Sequence, residues 1–152
     1  MNDRLDAFID QLQQQIFDEA RETLGEDGFE RWRSPKYNGS MEKPDASAQV
    51  TGSCGDTMEF FLKFDGQRVA QASYVTDGCG SSSVCGSFAA EMAIGRSPDE
   101  IAAIDGHTIL SRLGRLPEED QHCAFLASEA LQAALHDHMV KQSNSRRQKD
   151  EE

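Results

Sequence analysis

The chain of 152 residues has few cationic side chains and no long apolar run. Its 15 Lys and Arg stand against 27 Asp and Glu, and the resulting net charge of −12 repels nucleic acid. No stretch approaches the roughly 18 apolar residues of a membrane span. The sequence shows neither a Ser-His-Asp pattern nor a phosphate-binding loop. We therefore expect no nucleic-acid partner and no membrane partner, and these absences give hydrolase or phosphate-loop transferase chemistry little support.

Basic and apolar residues are also missing where a targeting segment would have them. The first six residues are acidic and lack a basic region followed by an apolar one, which predicts neither a secretory signal nor a transit peptide. Four cysteines in such a chain favour reduced thiols in the cytoplasm. The hydrophobic fraction of 38% is low for a compact domain, so part of the chain is expected to be exposed.

Hydrophobic spacing predicts an α+β fold, because strand patterns come first and helix patterns follow. An amphipathic helix is expected over 3–24, with Gly25 after its end and a polar loop at 34–47. A small three-stranded antiparallel sheet with a hairpin turn at Asp65-Gly66 should follow, its apolar face covered by helices. The expected strands are 48–52, 58–64 and 67–76, and the expected later helices are 81–94, a short one from Pro98, 105–113 and 117–138.

The domain prediction follows from these elements. Residues 1–140 should form one domain, and 141–152, which are almost entirely polar, should form a disordered charged tail.

None of the four cysteines forms a Cys-x-x-Cys pair, so ordinary zinc-finger and ribbon spacings are absent. Three of them stand in separate short segments with unusual neighbours. The segments are Gly-Ser-Cys54-Gly-Asp56, Asp-Gly-Cys79-Gly-Ser and Gln-His122-Cys123. Three thiols, one carboxylate and one imidazole that converge in space would make a metal or iron–sulfur site, and only a whole fold could assemble it.

The neighbours of these cysteines favour ligand roles over core packing. Flanking glycines allow close approach of a cluster at Cys54 and Cys79. Predicted helix N-termini at Cys79 and Cys123 should favour the thiolate, which is the form that binds metal. Cys85 lies on an apolar helical stripe, so core packing is expected, with an accessory thiol as the alternative. His107, His136 and His138 are expected to face solvent.

These segments, in this order, resemble the iron–sulfur cluster assembly scaffolds, which are the IscU proteins and the N-terminal scaffold domain of NifU. The resemblance covers about residues 35–136 and includes the hairpin between the first two cysteines and Leu116-Pro117 before His122-Cys123. It implies an IscU-like fold. It also implies assembly of clusters from iron and from persulfide sulfur delivered by a cysteine desulfurase, followed by transfer to apo-proteins or carriers.

The resemblance also implies residue roles. Cys54, Cys79 and Cys123 would be the cluster thiolates, Asp56 the carboxylate that ligates the cluster and keeps it labile, and His122 an alternate ligand. Cys123 would be the persulfide acceptor. The cluster would be of the 2Fe-2S or the 4Fe-4S type, and the same five residues would bind zinc in its place. The protein would then be a scaffold and carrier, not an enzyme.

Several alternatives stay open. A zinc-bound persulfide relay is the second hypothesis and a structural zinc domain the third. The fourth cluster ligand is Asp56, His122, Cys85 or a partner's residue, and a homodimer is compatible with the sequence. The family's Leu-Pro-Pro-Val-Lys segment reads here Leu116-Pro117-Glu118-Glu119-Asp120, so the sequence leaves the assistance of a chaperone undecided.

Overall fold

A computed structural model describes the backbone of residues 3–151 and the side chains of residues 3–149. Three strands and five helices follow one another along the described chain, with one turn of 3₁₀ helix before the last helix. In chain order they are α1 (Asp3–Arg33), β1 (Ala46–Thr51), β2 (Thr57–Asp65), β3 (Arg68–Thr76), α2 (Gly80–Ala93), α3 (Pro98–Ala102), α4 (Gly106–Leu113), the 3₁₀ turn (Glu118–Asp120) and α5 (His122–Glu151). The predicted α+β class is confirmed.

The sheet is an antiparallel meander with β2 between β1 and β3. Met58 of β2 lies opposite Val50 on one side and Thr76 on the other. At the tip of the β2–β3 hairpin Gly66 has a φ of 63°, a conformation that favours glycine. The predicted hairpin is thereby confirmed. Because all three strands are antiparallel neighbours, the β1–β2 turn and the end of β3 lie at the same edge of the sheet.

One face of the sheet carries the core. Met58, Phe60 and Leu62 alternate along β2 and are fully buried. Helix α5 packs against β1 and β2, whereas α2 packs against β3 and against α5. The two helices therefore lie side by side on one layer of strands, and their N-termini come together beside the β1–β2 turn.

Tyr74 of β3 fixes the beginning of α2. Its ring is fully buried, and its hydroxyl donates a hydrogen bond to the carbonyl of Ser83 at 2.7 Å. Gly86 gives the ring its room, because a Cβ there would lie 2.6 Å from Tyr74 Cδ2. The first turn of α2, and with it the preceding Cys79, is thereby held to the sheet.

Helix α1 is interrupted at Gly25, whose φ of 80° is outside the helical range. The break confirms the predicted end of the first segment. The helical segment after it, up to Arg33, has no counterpart in the sequence prediction. Arg31 holds this segment and is only 3% exposed. Its Nη2 atom lies 2.7 Å from Oε2 of Glu91, and its guanidinium stacks over the ring of Phe88.

The predicted disordered tail is wrong for residues 141–151, because α5 continues to Glu151. This stretch contains neither Pro nor Gly and is rich in Gln, Lys and Arg, which have good helix propensity. It also extends a packed helix, so it carries no nucleation cost. Residue 152 lies outside the described residues, and the domain limits 1–140 stay a prediction. Among the described helices none is long and apolar enough to cross a membrane.

The expectation that His138 faces solvent is also wrong, whereas His107 and His136 are exposed. His138 is 8% exposed and stacks on Phe64, with ring centroids 3.7 Å apart. Burial lowers the pKa of His138, although the carboxylates of Asp45 and Asp137 act in the opposite direction. The residues around His138 in the sequence are mostly polar, so they did not indicate that this turn of α5 faces β2.

The buried imidazole predicts a stability change below neutral pH. The folded pKa of His138 is depressed, so its contribution is fully present above the unfolded value of about 6.5 and is lost as the pH falls through the folded value. Urea unfolding should therefore show that the free energy of unfolding falls more between pH 7.5 and pH 5 for the wild type than for His138→Phe. This variant keeps the stacking on Phe64. An equal loss in both proteins would contradict this assignment.

Candidate functional site

Cys54 and Asp56 stand in the tight turn between β1 and β2. The Gly52 amide donates to the carbonyl of Asp56 at 2.8 Å, and the Gly55 amide donates to the carbonyl of Gly52 at 3.0 Å. Gly55 has a φ of 91°, which explains the glycine after the cysteine. The turn leaves Cys54 exposed. It also keeps the thiol and the carboxylate on one short and rigid segment.

The other cysteines lie at the N-termini of the two packed helices. Cys79 is the N-cap residue of α2, has extended backbone angles and is exposed. Cys123 is the second residue of α5, follows the 3₁₀ turn and is buried. Because α2 and α5 pack together, these two positions meet beside the turn that holds Cys54.

Three of the predicted residues form a compact group. One ligand atom from each of Cys54, Asp56 and His122 lies within 4.8 Å of the other two. Gly78 lies beside Asp56, and a Cβ at Gly78 would lie 3.1 Å from Asp56 Oδ2. Sulfur, oxygen and nitrogen donors at this separation fit a metal ion such as zinc or iron.

Cys79 and Cys123 extend this group towards α2. The sulfur of Cys123 lies 3.7 Å from His122 Nε2, and Cys79 is near enough to affect the titration of Cys123. All five residues named from the sequence therefore belong to one patch. Three thiols with one carboxylate and one imidazole form a donor set that suits an iron–sulfur cluster or a thiophilic metal. Their individual ligand roles stay predictions.

The expectation of a thiolate at Cys123 is wrong for the structure as it stands. The pKa of Cys123 is raised to about 12, mainly by burial and also by the nearby Cys79 and Asp120, against the lowering effect of a hydrogen bond from Ser82. Desolvation thus exceeds the effect of the Ser82 hydrogen bond. Coordination to a metal would displace this proton, because metal-bound thiols are deprotonated.

Cys85 packs in the core, as expected from its place on an apolar stripe. It is fully buried on α2, and burial raises its pKa. It lies behind the patch, near enough for Cys79 and Cys123 to affect its titration. The structure favours its role as a small apolar side chain over that of a solvent-accessible thiol.

Sequence reasoning missed three polar or aromatic neighbours of the patch. The Ser82 hydroxyl donates to Cys123 Sγ at 3.2 Å, and the Ser81 hydroxyl donates to Asp120 Oδ2 at 3.0 Å. Ser82 follows Cys79 by three residues at a helix start, a spacing that could have revealed it. The third neighbour is Trp32, whose ring packs against Gly80 so closely that a Cβ there would lie 2.4 Å from it. Nothing in the sequence indicated this contact.

A groove opens on the α1 side of the patch. It has a volume of about 360 Å³ and reaches from α1 to Cys79. Its lining consists of Ile16, Glu19, Ala20, Thr23, Leu24, Trp32, Cys79, Gly80, Ser81, Pro117 and Asp120. Cys79 can therefore be approached from solvent, whereas Cys123 lies behind it.

The comparisons with known proteins agree with this geometry. The family model for the NifU-like N terminal domain matches residues 25–145. The protein of Drosophila melanogaster named iron-sulfur cluster assembly enzyme IscU is 37% identical over 122 residues, which are 77% of this chain and 79% of that protein. The Haemophilus influenzae iron-sulfur cluster assembly scaffold protein IscU is 33% identical over 119 residues, 75% of this chain and 94% of that protein.

A solved structure shows the same fold. The N-terminal part of a NifU-like protein from Brucella abortus superposes with a TM-score of 0.62 over 80% of this chain and 97% of its own, at 21% identity. The resemblance stated from the sequence is thereby confirmed. The family match and the identity to the IscU proteins show that this chain belongs to the NifU-like N-terminal domain family.

Proposed function

We propose that this protein is a scaffold on which iron–sulfur clusters are assembled and from which they pass to apo-proteins or carriers. The observation that carries the proposal is the convergence of Cys54, Asp56, Cys79, His122 and Cys123 in one patch at the surface. The names of the relatives, iron-sulfur cluster assembly proteins and scaffolds, support it. The role is that of a carrier platform, with the cluster as its cargo.

Three thiolates, from Cys54, Cys79 and Cys123, would hold the cluster, with Asp56 or His122 in the fourth position. A carboxylate or an imidazole gives a less firm site than the four thiolates of a stable ferredoxin, which suits a protein that must release its cargo. The exposure of Cys54 supports release, because the ligand there is already in contact with solvent. Both cluster types, 2Fe-2S and 4Fe-4S, fit this donor set, the latter also between the two protomers of a homodimer.

We assign the sulfur supply to a cysteine desulfurase and the acceptor role to Cys123. A thiolate there attacks the outer sulfur of the desulfurase persulfide, the S–S bond breaks, and the desulfurase cysteine leaves as a thiolate. Because Cys123 is buried, the transfer requires the 3₁₀ turn and the first turn of α5 to move aside. This exposure also removes the burial that raises the pKa of Cys123, so that the thiol can give its proton to solvent and attack as a thiolate. The four free thiols support a reducing compartment such as the cytoplasm.

A second candidate function is a zinc-bound persulfide relay. The group formed by Cys54, Asp56 and His122 favours it, because ligand atoms within 4.8 Å of one another can bind a single ion. One further thiolate would complete the tetrahedral coordination of a zinc ion there. A relay would bind one zinc tightly and carry sulfur on a cysteine without ever holding a cluster. The two functions therefore differ in what the protein holds after incubation with iron and sulfur.

Cluster loading tests the scaffold and its ligands. Anaerobic incubation with ferrous iron, cysteine and a desulfurase should give the wild type the visible absorbance of a cluster. Replacing Cys54, Cys79 or Cys123 by Ser should abolish most of it, because one strong thiolate ligand is lost. Cys85→Ala, which changes a core cysteine beside the patch, is the matched control and should load normally. A triple-serine variant that still held a cluster would sink the proposal, and tight stoichiometric zinc without a cluster would favour the relay.

Asp56 should control how fast the cargo leaves. We expect Asp56→Ala to lose its cluster to a chelator or an apo-ferredoxin several-fold more slowly than the wild type, because the labile oxygen ligand is gone. The transfer can be followed by circular dichroism in the visible region. Asp65→Asn, at the far end of the β2–β3 hairpin, should transfer at the wild-type rate. Faster loss from Asp56→Ala would show that the carboxylate stabilises the bound cluster.

Mass spectrometry tests the sulfur acceptor. Incubation with desulfurase and cysteine, without iron, should add one sulfur atom to the peptide that contains Cys123. Cys123→Ser should lose this modification and Cys79→Ser should retain it. Persulfide found on Cys54 or Cys79 in the wild type, with Cys123 unmodified, would refute the assignment.

A further inference from the structure

The first turn of α2 holds both the sulfur of Cys123 and the 3₁₀ turn that precedes it. The Ser81 hydroxyl donates to Asp120 Oδ2 in the 3₁₀ turn at 3.0 Å, and the next residue, Ser82, donates to Cys123 Sγ at 3.2 Å. Because two adjacent hydroxyls reach these two atoms, the 3₁₀ turn lies beside the sulfur. Cys123 is fully buried in this arrangement. We therefore expect the position of the turn to decide whether a reagent reaches the sulfur.

Of these two parts of the chain, the 3₁₀ turn is the one that is free to move. The start of α2 is fixed to the sheet by the hydrogen bond from Tyr74 to the carbonyl of Ser83. In contrast, no residue of the 3₁₀ turn is buried, and no side chain caps its N-terminus. Among the side chains of residues 3–149, those of the turn form one hydrogen bond, which joins Asp120 to Ser81. Opening this bond therefore releases the turn and leaves α2 in place.

Charge repulsion opposes the closed position of the turn. The turn consists of three consecutive acidic residues, Glu118, Glu119 and Asp120. Within the part of the chain whose side chains are described, none of the three forms an ion pair. Their mutual repulsion favours a more extended segment. The hydrogen bond to Ser81 acts against this repulsion and keeps the turn against α2.

We propose that the Ser81–Asp120 hydrogen bond is a latch that reserves Cys123 for sulfur delivered by a protein. The inference rests on the proposed function, in which Cys123 is the sulfur acceptor. With the latch closed, a small persulfide meets the exposed thiols of Cys54 and Cys79 and does not reach the buried one. Ser81 and Asp120 are positioning residues, because they act on Cys123 through the position of the turn.

A cationic side chain on a protein donor opens the latch. Glu118 and Glu119 are exposed beside the half-buried Asp120, so the turn presents negative charge to solvent. A Lys or Arg of the donor takes over the Asp120 carboxylate, because a charge-assisted hydrogen bond is stronger than one from a neutral hydroxyl. The same charges repel a small anionic persulfide. Selectivity for a protein donor thus follows from the acidic sequence of the turn.

Alkylation tests the latch without any sulfur donor. Peptide mass spectrometry gives the rate at which iodoacetamide modifies Cys123. Ser81→Ala and Asp120→Ala should each raise this rate about fivefold or more, the change expected when the closed form loses one hydrogen bond. Asp120→Asn, whose amide oxygen still accepts from Ser81, should stay near the wild-type rate. Glu119→Ala removes a carboxylate from the same turn without touching the latch, and its rate should not exceed that of the wild type.

The same experiment separates the latch from other effects. Equal Cys123 rates in the wild type and in both alanine variants would overturn the inference. A purely electrostatic effect of Asp120 would accelerate Asp120→Asn as much as Asp120→Ala, and this result would also contradict a latch. So would equal gains in labelling at Cys123 and at the fully buried Cys85, which would show a general loosening of the domain. The double variant Ser81→Ala/Asp120→Ala should react no faster than either single variant, because both remove the same bond.

Glutathione persulfide tests the selectivity. In this transfer the cysteine thiolate attacks the outer sulfur, the S–S bond breaks, and glutathione leaves as a thiolate. The wild type should gain sulfur on Cys54 and Cys79 only, whereas Ser81→Ala should gain it on Cys123 as well. A desulfurase with cysteine should modify Cys123 in both proteins, because the donor opens the latch of the wild type. Equal modification of Cys123 by glutathione persulfide in the two proteins would refute the selectivity.

The latch and the proposed function fail in different ways. If a desulfurase delivers sulfur to no cysteine of the wild type, and no cluster forms from ferrous iron and sulfide, the proposed function fails. The iodoacetamide rates still decide the latch, since they depend on access to Cys123 alone. If clusters form normally but the wild type and Ser81→Ala expose Cys123 equally, the latch is overturned and the proposed function stands.

Discussion

The packing of α2 and α5 side by side on one face of the sheet is the constraint on which the site depends. A cysteine stands at the N-terminus of each helix, so the contact between the helices decides how close Cys79 and Cys123 come. Tyr74 holds the start of α2 to β3, and the sheet places the β1–β2 turn with Cys54 beside both helix starts. Candidate ligands that are dozens of residues apart thus meet without any local metal-binding motif.

This arrangement produces a site with an exposed side and a buried side. Cys54 and Cys79 face solvent, whereas Cys123 is buried and its pKa is raised to about 12. A buried thiol of this kind has to lose its proton when it binds a metal. The asymmetry suits a platform that loads and unloads.

Much of the fold could be predicted because local patterns decided it. The Asp65-Gly66 hairpin, the break at Gly25 and the glycine-flanked cysteines follow from turn geometry and from the conformational freedom of glycine. The misses came from tertiary context. The burial of His138 and of Cys123 depends on which turn of α5 meets β2 or α2, and the helix over 141–151 depends on its continuity with a packed segment. Polar composition alone could not reveal either.

Mössbauer spectroscopy of the anaerobically loaded wild type, before and after addition of an apo-ferredoxin, tests the central claim most directly. A scaffold should show the iron in a cluster with incomplete thiolate ligation, and this signal should give way to that of the four-thiolate ferredoxin cluster once the acceptor is added. Iron that binds only as mononuclear ions, or a cluster that stays on the protein in the presence of the acceptor, would contradict the account.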